Sequence, residues 1–149
     1  MRSRLQLRDR ASRRGHAVTE ATLPVPWIFF LFIGVFDAGC YAVALICTET
    51  AAHAAVSCTA SSAGTAADST GACQYALIEM NAMSNARSLA SCSASPLTVT
   101  ATSVSGADGA AASQVTVTYQ TINLIPILGL PAQYTIARTV QKRVKSAAP

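Results

Sequence analysis

The feature that most constrains this chain is a long apolar segment from Leu23 to Cys47. Its 25 residues contain one charged side chain, that of Asp37. A helix rises about 1.5 Å per residue, and about 20 apolar residues are enough to cross the hydrocarbon core of a bilayer. The segment therefore predicts one membrane-spanning helix close to the N-terminus.

The distribution of charge predicts the orientation of that helix. Six of the eleven Lys and Arg residues precede the apolar segment, and after it only Arg87 lies before the C-terminal group Arg138, Lys142, Arg143 and Lys145. The positive-inside rule then places the N-terminus in the cytoplasm and the rest of the chain outside it. Because ten of the eleven basic residues lie at the two ends of the chain and no aromatic residues interleave with them for base stacking, no nucleic-acid partner is expected.

Within the span, several residues are candidates for packing against another helix. Pro24 and Pro26 are tolerated in a first helical turn but would kink a helix that began near His16. Asp37 is costly in lipid, so it should be neutralised, paired or packed against protein, unless it lies near the far interface and reaches water. Gly34 and Gly39, with Ala38 and Ala42, offer a small-residue face on which a second helix could pack closely.

A glycine and a carboxylate stand just before the span. Glu20 would be costly to draw unpaired into hydrocarbon. If the chain were cut after Gly15, the new amino group of His16 would lie about one helical turn from the Glu20 carboxylate, in the same or an adjacent subunit. Such an ion pair could select the register of neighbouring helices. The competing interpretation is a cleaved secretory signal, although its apolar core would be shorter than this one.

The run Gly15-His16-Ala17-Val18-Thr19-Glu20 resembles a type IV prepilin processing site, with its basic leader, glycine, glutamate and apolar helix. More narrowly, the N-terminus resembles that of TadE-like minor pilins, or pseudopilins, of the tight-adherence (Flp, type IVc) pilus system, where Pro26 matches a proline of the family pattern. The alternating segment Val-Thr-Val-Thr-Tyr near the C-terminus resembles the same family.

This resemblance implies a division of the chain and a set of partners. Residues 1–15 would be a basic cytoplasmic leader, 16–56 a transmembrane and stalk helix, and 57–149 an extracytoplasmic domain. A prepilin peptidase would cut between Gly15 and His16, and the partners would be other pilins, the pilus assembly machinery and membrane lipid. The location would be the bacterial inner membrane and, after assembly, a surface pilus that supports adhesion and biofilm formation.

Beyond the span the pattern predicts an α+β domain with one further helix and an antiparallel three-stranded sheet. Residues 58–72, which are rich in Ser, Thr, Ala and Gly, predict a loop, and 74–90 place apolar residues at helical spacing. Residues 97–103 and 115–120 alternate as strands around a turn at 106–109. A weaker alternation over 134–144 predicts the third strand.

The five cysteines predict a disulfide outside the cytoplasm, where oxidation is permitted. Cys73 with Cys92 is the first pairing expected, and Cys58 with Cys73 is the alternative. Their spacings contain no C-x-x-C pair, so we expect no zinc or other metal site.

The polar residues form no recognisable catalytic motif. The two histidines and seven carboxylates stand singly, and neither a serine nucleophile motif nor a phosphate-binding loop is present. We therefore expect no catalytic residues, no cofactor and no enzymatic activity. The alternative to a pilin is an uncleaved single-pass anchor that displays an extracytoplasmic binding domain.

Overall fold

The structure, a computed structural model, describes residues 20, 22–123 and 132–145. By its internal contacts the chain forms two units, residues 1–39 and residues 40–149. The described part of the first unit is helical, apart from a turn at Leu23, and the second is an α+β domain.

Helix α1 runs from Pro24 to Thr59 and is 36 residues long. It is long and apolar enough to cross a membrane, and only 6% of its most apolar window is buried. A core helix of a soluble protein would instead be mostly buried. Toward its C-terminal end the helix buries a stripe of small residues at helical spacing, comprising Ala44, Thr48, Ala51, Ala52, Ala55, Val56 and Thr59.

The predicted loop at 58–72 is wrong at both of its ends, where α-helix extends into it. Helix α1 continues to Thr59, a 3₁₀ turn covers Ala63–Thr65, and helix α2 spans Ser69–Glu79. The Asp68 side chain caps α2 by accepting hydrogen bonds of 3.0 Å from the amides of Thr70 and Gly71. A Cβ at Gly71 would come within 2.6 Å of the Asp68 carboxylate, so a larger residue there would displace the capping side chain.

The predicted helix at 74–90 is also displaced. Helix α2 ends at Glu79, and a 3₁₀ turn at Met80–Ala82 follows it. Met80 is fully buried. The apolar spacing that predicted a longer helix continues past the end of α2. Met80 is buried although it lies outside the α-helix, because burial depends on the direction of its side chain and not on an unbroken helix.

The sheet has four antiparallel strands in the order β1-β2-β3-β4, so the predicted count of three is wrong. The strands are β1 Ser93–Ala94, β2 Leu97–Ser105, β3 Ala111–Gln120 and β4 Thr135–Arg143. The three longer strands match those predicted, and the turn between β2 and β3 contains Gly109 at φ 74°, where a side chain would be strained. The additional strand β1 is only two residues long and pairs with the start of β2.

The two faces of the sheet differ because side chains alternate along each strand. Buried apolar residues of β2, β3 and β4 share one face and join the core formed with α1 and α2; they are Leu97, Val99, Ala101, Val115, Val117, Tyr119 and Ile136. The opposite face carries mostly threonine and glutamine. One-sided burial of this kind is typical of antiparallel sheets.

Helix α1 and strand β4 run alongside each other within residues 40–149. Three side-chain contacts join α1 to β4 or to the residue before it: Tyr41 with Tyr134 (ring centroids 5.3 Å apart), Glu49 with Arg138 (3.1 Å) and Ser57 with Lys142 (3.1 Å). Successive contacts are eight residues apart on the helix and four apart on the strand. At about 1.5 Å per helical residue and about 3.3 Å per strand residue, both steps cover about 12–13 Å. The contacting residues of α1 and β4 therefore stay side by side along this length.

A buried polar contact joins the end of α1 to the sheet. The Ser113 hydroxyl lies 2.7 Å from Thr59 Oγ1 and 2.8 Å from the carbonyl oxygen of Ala66. Thr59, Ala66 and Ser113 are almost completely buried. Buried polar groups need partners because desolvation is otherwise uncompensated, so this contact constrains how the chain leaves α1.

We expect Ser113→Ala to lower the free energy of unfolding by about 1–3 kcal/mol, because it leaves buried oxygens of Thr59 and Ala66 without this donor. Urea-dependent proteolysis of the full chain in detergent measures the change. The control is Ser103→Ala, since Ser103 is exposed and directly opposite Ser113 on β2; we expect it to change the free energy by less than about 0.5 kcal/mol. Equal effects of the two substitutions would contradict the assignment.

Candidate functional site

The candidate site lies at the N-terminal end of the apolar helix. Glu20 has helical backbone and an exposed side chain. Gly15 and His16 lie outside the described residues, so cleavage between them stays a prediction. What the structure adds is that the Glu20 carboxylate stands on helical backbone immediately ahead of the apolar span.

The two prolines mark a local break. Thr22 is helical, Leu23 forms a turn, and α1 begins at Pro24. Pro24 and Pro26 have no amide hydrogen to donate to a carbonyl four residues earlier, which explains why the helical hydrogen-bond pattern is interrupted here. Pro26 itself occupies the first turn of α1, as one of the two predicted arrangements requires.

Asp37 lies on α1 and is half-buried. One of its carboxylate oxygens, Oδ1, is shielded from solvent and has no hydrogen-bond partner in the described part of the chain. Buried polar atoms in proteins normally have a hydrogen-bond partner. Neutralisation, pairing or packing of Asp37 against a protein partner stays a prediction.

The two glycines of the span lie on different sides of α1. Gly34 is half-buried and Gly39 is exposed, and an added Cβ at either would meet no described atom within 4 Å. Five residues apart on a helix of 3.6 residues per turn, the two glycines are separated by about 140°. Gly34 instead lies near Asp37, which is three residues away on the same side. A helix that packs on Gly34 would therefore contact Asp37 but not Gly39.

The disulfide joins Cys73 to Cys92, which confirms the first of the two predicted pairings. Cys58 is a free thiol, so the alternative pairing with Cys73 is wrong. Cys73 lies on α2 and Cys92 precedes β1, so the bridge ties the second helix to the start of the sheet. Cys40 and Cys47 on α1 are also free.

A charged cluster lies further along α1. Glu49 contacts His53 at 3.2 Å on the same helix and Arg138 at 3.1 Å on β4. All three side chains are substantially exposed. Among the described residues no group of three or more His, Cys, Asp or Glu side chains could hold a metal ion. The contact between His53 and Glu49 was not predicted, although a spacing of four residues on a helix allows it.

A second buried polar contact was not foreseen from the sequence. The Tyr119 hydroxyl donates to Asn85 Oδ1 at 2.5 Å, and Asn85 Nδ2 donates to the carbonyl of Gln120 at 3.0 Å. Burial raises the pKa of the Tyr119 phenol. The phenol consequently stays neutral at physiological pH and acts as a donor that holds the segment after α2 against β3.

In the described ranges these residues form no recognisable catalytic arrangement. The site consists of an apolar helical surface with two carboxylates, those of Glu20 and Asp37. Comparisons of the chain with family models, with curated proteins and with solved structures found no match.

Proposed function

We propose that this chain is a TadE-like minor pilin that supports assembly of a tight-adherence pilus. It would be held in the inner membrane by α1, with residues 1–15 in the cytoplasm and the α+β domain outside. After removal of the leader, the N-terminal helix would associate with the helices of other pilins.

The observation that carries the proposal is the exposed Glu20 carboxylate on helical backbone directly before an exposed apolar helix. A simple membrane anchor needs the apolar helix but not the carboxylate. Pairing of Glu20 with the amino group of a mature His16 would neutralise both charges in a medium of low dielectric constant. The proposal is further supported by the sequence resemblance around Gly15.

Asp37 adds a second polar group inside the span. A carboxylate with an unpartnered, shielded oxygen is more readily accommodated against another protein helix than against lipid. Because Gly34 lies on the same side of α1, a neighbouring helix could approach closely there. In this proposal Glu20 sets the register of the helix, and the surface around Gly34 and Asp37 contributes to its packing.

Mass determination of the mature N-terminus tests the proposal directly. In cells that contain a prepilin peptidase we expect the chain to begin at His16, and in cells that lack the enzyme at Met1. Gly15→Leu should block cleavage, since a side chain would prevent close approach to the backbone. The matched control is Gly39→Leu, which lies beyond the cut and should leave the mature N-terminus unchanged.

The three outcomes separate the competing interpretations. A mature chain beginning at Met1 in peptidase-positive cells would indicate an uncleaved anchor that displays a binding domain. A chain that begins within or after the apolar segment would indicate a secretory signal. Only a start at His16 is consistent with the pilin.

A further inference from the structure

The charged cluster of Glu49, His53 and Arg138 limits how far hydrocarbon can extend along α1. Its side chains remain between 43% and 61% exposed. Charges placed in hydrocarbon cost several kcal/mol. If α1 spans a membrane, the hydrocarbon core must therefore end on the N-terminal side of Glu49.

The length of α1 gives a second estimate of that boundary. Counting about 20 residues from the first apolar residue, Leu23, places the outer edge of the hydrocarbon near Ala42. Tyr41 then lies at this edge, and Glu49 lies about 12 Å beyond Tyr41 along the helix. The interfacial layer on each side of a bilayer is about 5–8 Å thick. Val43 and Ile46, which are exposed apolar residues, fall within or next to that layer.

The α+β domain places an uncharged group of residues beside Tyr41. Tyr134 contacts Tyr41 with ring centroids 5.3 Å apart, and it exchanges two hydrogen bonds of 2.9 Å with Thr121. Ile122 follows Thr121 and is 43% exposed. The described residues around it, 119–123 and 132–135, contain no charged side chain. We call Tyr41, Ile122 and Tyr134 the aromatic corner.

We propose that the aromatic corner rests in the outer interfacial layer of the lipid bilayer while the protein is held in the membrane. Tyrosine favours this layer because its ring is apolar and its hydroxyl is polar. Val43 and Ile46 add exposed apolar side chains at nearly the same level on the other side of α1, and Arg138 lies about 13 Å further along the chain from Tyr134. The inference rests on the membrane-spanning part of the proposed function and not on pilus assembly.

Fluorescence quenching by brominated lipid measures the depth of the corner. Trp27 is the sole tryptophan, so Trp27→Phe provides a background without tryptophan emission. Into this background we would introduce Tyr134→Trp or Ile122→Trp, with Ala107→Trp as the control. Ala107 is exposed and lies in the turn at the opposite end of the β2–β3 hairpin. The full-length variants are reconstituted in phosphatidylcholine vesicles with bromine either close to the headgroup or near the chain end.

The expected result is a loss of emission for Tyr134→Trp and Ile122→Trp that is larger with bromine near the headgroup than near the chain end. Ala107→Trp should lose none with either lipid. Formation of the Cys73–Cys92 disulfide in each variant confirms that the domain has folded. Agreement between Tyr134→Trp and Ile122→Trp would show that the quenching does not come from a local effect of one substitution.

Three outcomes would overturn the inference, and they are distinguishable. If the native Trp27 is quenched while both corner variants behave as Ala107→Trp does, α1 is inserted but the corner does not contact lipid. If Trp27 is not quenched either, the membrane span itself is wrong. Quenching of the corner that appears only at high protein-to-lipid ratio would indicate contact with a second copy and would also contradict the lipid assignment.

Discussion

We expect Glu20→Ala to abolish incorporation of the protein into a pilus while membrane insertion stays intact. If Glu20 pairs with the α-amino group of a mature His16 between packed helices, its removal leaves a buried positive charge without a partner. Breaking a buried ion pair by removing one member costs about 3–5 kcal/mol, which corresponds to an assembly constant lower by two or more orders of magnitude. Insertion should not change because α1 keeps its apolar residues.

The measurement separates assembly from insertion. Sheared surface fractions report incorporation, and carbonate-resistant membrane fractions report insertion. Glu20→Gln preserves the size of the side chain and should fail as Glu20→Ala does, because the charge is the essential property. Glu49→Gln is the matched control, since it removes a carboxylate from α1 at the exposed charged cluster. Normal assembly of Glu20→Ala would remove the electrostatic basis of the pilin proposal.

Loss of the Cys73–Cys92 disulfide should have the largest effect on the stability of the domain. The two cysteines are 19 residues apart, and opening a loop of that size costs about 3 kcal/mol on the chain-entropy account. The cost matters here because much of the buried core consists of alanine and threonine, which remove little apolar area from water. We therefore expect the Cys73→Ala/Cys92→Ala double variant to unfold at a clearly lower urea concentration.

Urea-dependent proteolysis of the full chain in detergent gives this free energy. The oxidised wild type and the double variant should differ by about 3 kcal/mol, and the wild type treated with reductant should approach the variant. Cys58→Ala is the control, because Cys58 is a free thiol and its replacement leaves the bridge intact. A difference below about 0.5 kcal/mol would show that the bridge contributes nothing measurable.

The accuracy of the sequence predictions follows the strength of the local pattern. Strands β2 and β3 were predicted because valines alternate with threonines, and Gly109 marks their turn with a positive φ. Strand β1 was missed because Ser93 and Ala94 are too few to show an alternation. The start of α2 was missed because its cap, Asp68, lies in a segment whose Ser, Thr, Ala and Gly content is typical of loops.

Other features could not be predicted because they join residues that are distant in sequence. The contact of Ser113 with Thr59 and Ala66 links residues more than 45 positions apart. Likewise, the Arg138 side chain could be read from sequence as part of a basic C-terminal group, whereas the structure places it beside Glu49 on α1. No local periodicity specifies such partners.

The sequence alone determined the apolar helix, its charge asymmetry, the glycine and glutamate before it, and the alternating strands, since each is a property of neighbouring residues. It left open which cysteines pair, and the tertiary structure decided for Cys73 with Cys92 because only those two sulfurs are brought within bonding distance. The tertiary structure also fixed how α1 and β4 are aligned side by side, which places Tyr41 in contact with Tyr134. This alignment depends on packing between elements far apart in the chain, and so it could not be derived from the order of the residues.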